Sequence, residues 1–314
     1  MNLNRLKKLS GDASFRYFYR SRNGIVIFCD KNKKSNLLDY DAINKILIKK
    51  KVIAPSLISQ NYKENYIEIE DFGDLTVFEK FKNNKTNKKN YYKKILDLLS
   101  KIKKIKIKKQ KTFLKTNFKV PNYTSKMLLD ESNLFIDWYL QKYFKGKKKQ
   151  FLEKELKKIF KKLLRNISYH KKVFVHRDFH VSNIMITKKG LGLLDSQDAV
   201  YGNIAYDLAS LIDDVRLKTN TKIKDFIFHE FLKKNKNLDY EKFKNDFEIL
   251  SVLRNLKIIG IFARLSMRDK KNKYLKLIPY AWKLIELRTS RNPIFNDLNY
   301  LLIKNFDKKK RKLI

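Results

Sequence analysis

The chain has 314 residues and a mass of 37.7 kDa; with 43% hydrophobic and 13% aromatic residues it can bury a sizeable core, which excludes wholesale disorder. A single cysteine, Cys29, excludes a disulfide scaffold and fits a reducing compartment. The formal net charge is +41, yet only 13 of the 73 basic residues are arginine and they are dispersed, while lysines run through nearly every segment. That pattern reads as a compositional drift that coats a solvated surface, not as a nucleic-acid-reading face, which leans on arginine forks. Residues 1–8 lead into no apolar stretch, and no run approaches the roughly 18 apolar residues that span a bilayer. A cytoplasmic protein with no membrane partner is expected.

In chain order, Gly11-Asp12-Ala13-Ser14 forms a small polar turn before two aromatic and β-branched runs at 15–19 and 25–29. Asn23-Gly24 between them predicts a hairpin, because both residues tolerate positive φ. A helix fits 39–50, ending before Pro55, and the alternation of 66–70 predicts a half-buried strand that Asp71-Phe72-Gly73-Asp74 breaks. Beyond it the apolar spacing changes to three and four. Tyr92, Ile95, Leu98, Leu99, Ile102 and Ile105 make one helix face, Leu152, Leu156, Ile159, Phe160 and Leu163 a second, Leu253, Leu256, Ile259 and Phe262 a third, and Ile278, Ala281, Trp282 and Ile285 a fourth. The lysine-rich stretch 101–111 reads as an exposed helix end and loop. Short apolar runs at 173–175, 184–186 and 191–194 predict strands framing polar loops, and the four histidines lack cysteines at zinc spacing. The architecture is α+β: a small antiparallel-sheet lobe over 1–70, a hinge at 71–75 and a larger, mainly helical lobe over 76–314.

The informative segment is 175–186, Val-His-Arg-Asp-Phe-His-Val-Ser-Asn-Ile-Met-Ile, in which His176-Arg177-Asp178 and Asn183 match the H-R-D-x-x-x-x-N loop of kinases. Phosphoryl transfer needs an acceptor hydroxyl held in line with the γ-phosphate, and Asp178 can hold it and take its proton. It also needs charge neutralised on the phosphates. Asn183 offers a neutral oxygen to Mg2+ and Asp195 an anionic one, with ATP phosphates completing the octahedron. Asp178 and Asn183 could instead merely cap turns, but three polar positions at this spacing, each beside an apolar strand, favour the kinase reading. His180 stands where protein kinases usually place lysine. The helical 205–211 follows Asp195 too soon for a protein kinase's activation segment, so the acceptor is expected to be a small molecule.

Gly11 to Arg16, Glu70 to Asp74, His176 to Asn183, Asp195 to Gly202, Tyr206-Asp207-Leu208, and the distal Arg254-Asn255-Leu256-Lys257 with Gly260 to Leu265 together resemble one family, the anomeric N-acetylmuramate/N-acetylglucosamine kinases within the aminoglycoside phosphotransferase superfamily. The resemblance runs from about residue 11 to 282. It implies a protein-kinase-like two-lobed fold and ATP-dependent phosphorylation of the C1 hydroxyl of an amino sugar in cell-wall recycling, with a nucleotidyltransferase using the product. It makes Asp178 the catalytic base and Asn183 and Asp195 the metal ligands. Gly11, Ala13, Ser14 and Arg16 would cover the phosphates, and Glu70 and Phe72 the adenine. His180, Asp198, Asp207 and Arg264 are candidate substrate residues.

Two departures stand out. Ser196 replaces the family's usual Phe, so looser packing beside the metal aspartate is expected. Residues 25–29 lack the phosphate-pairing lysine of ordinary kinases, a place that Arg16, Lys31 or Lys33 could fill. Arg254 and Arg264 lie in an otherwise apolar helix, where either an internal acid or the lactyl carboxylate of a sugar would serve as partner. The alternatives are another aminoglycoside- or choline-type kinase, or a catalytically inactive kinase-like binding protein.

Overall fold

The structure, a computed structural model, describes residues 6–9, 16–82 and 85–312. Gly11, Ala13 and Ser14 lie outside the described residues. The chain divides into two compact units, one of residues 1–122 and 173–201, the other of 123–172 and 202–314.

The first unit is built on a five-stranded antiparallel sheet of order β1-β2-β3-β5-β4, with β1 Lys7–Leu9, β2 Arg16–Arg20, β3 Ile25–Cys29, β4 Leu57–Asn61 and β5 Tyr66–Ile69. β2 and β3 form the expected hairpin in the register Arg16↔Cys29 to Arg20↔Ile25. Its turn differs from expectation: neither Asn23 nor Gly24 has positive φ. Ser21 closes the turn instead, its Oγ accepting from the backbone N–H groups of Asn23 and Gly24. Gly24 is needed for closeness, because a Cβ there would lie 2.2 Å from the Ile69 carbonyl oxygen of β5.

Helix α1 (Asn36–Lys49) begins three residues earlier than the spacing suggests and buries Leu37 and Tyr40 with Ile27, Cys29, Ile67 and Ile69. α2 (Val77–Lys82) and α3 (Lys88–Lys103) follow, the latter burying Tyr92, Ile95, Leu98, Leu99 and Ile102 and capped by Asn87, whose side chain accepts from Asn90 N–H. Within 101–111 the helix ends as expected, but Lys109–Lys111 (β6) pairs with Asn117–Lys119 (β7). β8 (Lys172–Val175) leads into the polar loop. β9 (Ile184–Thr187) and β10 (Gly190–Leu193) form a hairpin, and β11 (Val200–Asn203) leaves it. Ile186 N–H donates to the Leu75 carbonyl and Leu193 N–H to the Ile53 carbonyl, both at 2.8 Å, which pins that hairpin to the segments before β4 and after β5.

The second unit is helical: α4 Ser125–Leu134, a π-helical turn Phe135–Leu140, α5 Gln141–Tyr143, α6 Gly146–Arg165, α7 Tyr206–Ile212, α8 Thr221–Lys233, α9 Tyr240–Met267, α10 Ile278–Thr289 and α11 Asn296–Asn305. α9 is apolar on nearly every side, buries most of its length and contacts α4, α7 and α10, as the central helix of a bundle must. The π turn shifts the helical register, so Phe135, Ile136, Tyr139 and Leu140 are buried and Trp138 only half. Tyr139 accepts a 3.0 Å bond from Trp282 Nε1 in an aromatic cluster with Phe135 and Phe306. Asp213, fully buried, accepts from Lys224 Nζ (2.9 Å), Arg288 Nε (2.8 Å) and Ser251 Oγ (2.6 Å). Burial alone would push its carboxyl up; Arg288 and Lys224 outweigh that and hold it well below the usual carboxylate range. Among the described residues no helix is long and apolar enough to cross a membrane.

Candidate active site

The loop after β8 is organised from within. The Asp178 carbonyl accepts from His180 N–H and from Asn183 Nδ2, both at 3.0 Å, and the Asn183 carbonyl accepts from Leu194 N–H at 2.9 Å. The amide of Asn183 thereby ties to Asp178 and leaves Oδ1 as its acceptor, while its backbone holds the residue next to Asp195. These bonds close the loop on the Asp178 backbone and set Asn183 beside the segment that carries Asp195. Two non-glycine residues in it take left-handed backbone, Arg177 (φ 75°) and Asp195 (φ 61°), a cost borne where chemistry-bearing side chains must be aimed.

His176 lies fully buried beneath the loop. Burial lowers its pKa against the pull of Asp178, Asp195 and Asp198 and a hydrogen bond at the Leu194 backbone, so the ring is neutral at pH 7. Arg177 Nη1 donates to the Asp198 carbonyl at 3.2 Å, and Gln197 Nε2 to the Asp198 carboxylate at 2.8 Å. Asp198 itself is exposed. His180 is buried in the loop with Nε2 3.5 Å from Asn183 Nδ2, and Asp207 is buried in the first turn of α7. Arg264 is half-buried on α9; its Nε has no hydrogen-bond partner among the described residues, and burial, then Arg268, lowers its pKa.

A cavity of about 400 Å³ lies against this loop within the first unit. β2 contributes Arg16, Phe18 and Arg20, alternate residues of one sheet face; residues 70–74 form another wall, and Asn183 and Asp195 a third. Arg16 is the basic residue that meets Asp195: its Nη2 donates to Oδ1 at 2.5 Å, and its guanidinium lies 5.7 Å from the Phe18 ring centre and 6.0 Å from that of Tyr40. Burial draws the Arg16 pKa down, and the Asp195 carboxylate more than reverses this, leaving it raised. Lys31 and Lys33 are exposed in a short 3₁₀ turn.

Residues 70–74 are held as firmly. Arg20 binds both Asp71 (Nε–Oδ2 2.6 Å) and Asp74 (Nη2–Oδ1 2.9 Å), which bridges β2 to both ends of the break. Glu70 N–H donates to the Ser56 carbonyl at 2.9 Å, and its carboxylate accepts from Ser56 Oγ at 3.1 Å. The Phe72 ring sits so close to β10 that a Cβ on Gly192 would approach it to 2.8 Å. Ser196 corrects the expectation of looser packing: it is fully buried, and its Oγ donates to Asn44 Oδ1 at 2.5 Å while Asn44 Nδ2 donates to the Pro55 carbonyl. α1 is thereby fastened to the residue after Asp195. Arg20, Tyr40 and Asn44 escaped the sequence reading, although Arg16-x-Phe18-x-Arg20 alternation and the four-residue spacing of Tyr40 and Asn44 were available signals.

Among the described residues no three His, Cys, Asp or Glu side chains converge to hold a metal. Asn183 and Asp195 line the same cavity, and one amide oxygen with one carboxylate would suit Mg2+ taking its other ligands from phosphate and water.

Solved structures share this fold, which is the protein-kinase-like one found in small-molecule phosphotransferases. A choline/ethanolamine kinase family protein from Mesorhizobium loti superposes with a TM-score of 0.62 at 12% identity, covering 95% of this chain and 92% of that one. The GDP and kanamycin complex of the aminoglycoside phosphotransferase APH(2")-IIIa superposes with a TM-score of 0.63 at 12% identity, covering 93% and 95%. The profile of the phosphotransferase enzyme family APH matches residues 5–231, and the chain belongs to that family. Among curated relatives, an N-acetylmuramate/N-acetylglucosamine kinase of Pseudomonas aeruginosa is 26% identical over 302 residues, covering 93% of this chain and 86% of its own. One of that name from Neisseria meningitidis is 36% identical over 167 residues, covering 51% and 50%.

Proposed function

We propose that this phosphotransferase moves the γ-phosphoryl group of ATP to the C1 hydroxyl of N-acetylmuramate or N-acetylglucosamine. The observation that supports the reading is the loop in which the Asn183 amide closes on the Asp178 carbonyl while Asn183 and Asp195 line a cavity; the names of the relatives at 26–36% identity supply the acceptor. Asp178 orients the acceptor hydroxyl and takes its proton as the bond to phosphorus forms. Asn183 Oδ1 and Asp195 would hold Mg2+, which when bound neutralises charge on the phosphates. Arg16, already on Asp195 Oδ1, adds a fixed positive charge at the same place and stands in for the missing lysine.

Residues 70–72 would offer backbone groups to adenine, and Gly11, Ala13 and Ser14 would cover the phosphates. In this scheme 1–70 form the nucleotide-covering lobe, 71–75 the hinge and 76–314 the catalytic and acceptor lobe, with His180, Asp198, Asp207 and Arg264 as candidates on the acceptor side. The sugar 1-phosphate would serve a nucleotidyltransferase in the cytoplasm during cell-wall recycling. The test incubates purified protein with ATP, Mg2+ and each sugar and reads the product by phosphorus NMR. Coupling of the new phosphate to the anomeric proton is expected. Phosphate on C6 would refute the anomeric assignment, and no transfer to either sugar would refute the reading.

A further inference from the structure

Asp195 lines the cavity from a backbone in the left-handed region, φ 61°, which a non-glycine residue keeps only where its surroundings hold it there. Two anchors are on hand. Arg16 grips the carboxylate itself, Nη2 on Oδ1 at 2.5 Å. The other acts on the backbone, through the next residue. Ser196, fully buried, donates from Oγ to Asn44 Oδ1 at 2.5 Å, and its carbonyl accepts from Ala199 N–H at 3.0 Å. Asn44 is 4% exposed on α1, and its Nδ2 donates to the Pro55 carbonyl at 2.9 Å. The segment that carries Pro55 is itself tied to β10, because the Ile53 carbonyl accepts from Leu193 N–H at 2.8 Å. A closed frame thus runs from Asp195 through Ser196, Asn44 and 53–55 back to Leu193. A buried hydroxyl and amide whose bonds are made fix one arrangement, as an apolar contact free to slide would not.

We infer that Asn44 is a positioning residue: through Ser196 it holds the Asp195 backbone in the conformation that presents the carboxylate to the cation of a bound nucleotide. The inference rests on the phosphotransferase reading above, in which Asp195 serves Mg2+, and deepens it. It also gives α1 a part in the reaction. Tyr40, one turn before Asn44 on that helix, lines the same cavity, with its ring centre 6.0 Å from the Arg16 guanidinium. Arg16 and Asn44 divide the task, one restraining the carboxylate and the other the chain that bears it. Breaking the bond between Asn44 and Ser196 frees Asp195 to leave the left-handed region, and its side chain then no longer points where the cation sits.

The test reads metal binding. Mn2+ replaces Mg2+, and its affinity is measured by electron paramagnetic resonance with the β,γ-imido analogue of ATP at saturation, in wild type, Ser196→Ala, Asn44→Ala and the double variant. Each single variant should bind Mn2+ about tenfold more weakly, the low end of what loss of a ligand's supporting contact costs, since this contact reaches Asp195 through the backbone. The double variant should be no more than about twofold worse than the weaker single, because both changes remove the same bond. Additive losses, or single variants within about twofold of wild type, would overturn the inference. Ile67→Val, a change in the buried cluster that α1 packs on, breaks no hydrogen bond and separates positioning from general loosening. Its Mn2+ affinity should stay within about twofold of wild type, and a loss of about tenfold there would also overturn the inference. Should Asn44→Ala not fold, Ser196→Ala and Ile67→Val decide. Wild-type binding that Ser196→Ala leaves unmoved refutes this inference alone. A wild type that takes up no Mn2+ with the analogue refutes the metal role of Asp195 and the inference with it.

Discussion

Replacing Arg16 with Met should cost more than any other single change on β2. The guanidinium, with a side chain 5% exposed, donates to Asp195 Oδ1 at 2.5 Å and rests against the rings of Phe18 and Tyr40. A hydrogen bond to a charged group contributes about 1.5–3 kcal/mol. The Asp195 side chain is 36% exposed, so water compensates part of its loss and the lower half of that range applies. The two ring contacts add roughly 0.5–1 kcal/mol together, while methionine keeps the apolar bulk in place. The sum is about 2–3 kcal/mol, read as a shift of the urea midpoint by circular dichroism with an unchanged slope. A double-mutant cycle with Asp195→Asn isolates the pair and should return a coupling of about 1.5 kcal/mol or more. A coupling below about 0.5 kcal/mol would refute the claim that Arg16 and Asp195 hold each other.

Asp213→Asn should destabilise the helical unit by about 3–5 kcal/mol, because it leaves Lys224 and Arg288 buried with one neutral partner. Since the folded-state pKa of Asp213 lies below its unfolded value, its contribution is complete above about pH 4 and is lost as pH falls further; urea midpoints of wild type and variant should converge in acid. Asp39 behaves in the opposite sense: burial first, then Asp198, raises its carboxyl to about 6. The folded chain binds that proton more tightly than the unfolded one, so a penalty grows from about pH 4 to pH 6 and persists above. Asp39→Asn should therefore stabilise at pH 7 by about 1–2 kcal/mol, allowing for solvent at a half-buried group, and do nothing at pH 3.5; a melting-temperature gain of equal size at both pH values would contradict this.

Periodicity made much of the fold legible. The β2–β3 hairpin, β5, α3, α6, α9 and α10 follow from alternation or from three-and-four spacing, and the strands around the 176–183 loop from short apolar runs. β4, Leu-Ile-Ser-Gln-Asn, was not legible because it is a sheet-edge strand whose exposed middle carries no alternation. The π turn was hidden because one extra residue breaks the period on which helix reading depends. Asp178, Asn183 and Asp195 could be singled out as candidates because they fall within one loop and just beyond the hairpin that follows it. The choice of Arg16 over Lys31 and Lys33 was not, since it depends on which face of β2 meets a residue 179 positions away. The role of Ser196 was misread for the same reason: its partner Asn44 is 152 positions distant, and a buried hydroxyl paired with an amide replaces the bulk of a ring.

The claim at the centre is that Asp178 takes the proton of a sugar hydroxyl while Asn183 and Asp195 serve the nucleotide. Its most direct test is turnover of N-acetylmuramate and N-acetylglucosamine by Asp178→Asn, alongside calorimetric binding of ATP with Mg2+ to the same protein. Turnover should fall by about 10²–10⁴-fold, the usual worth of a positioned base, with nucleotide affinity kept within about threefold. Turnover within tenfold of wild type would contradict the account.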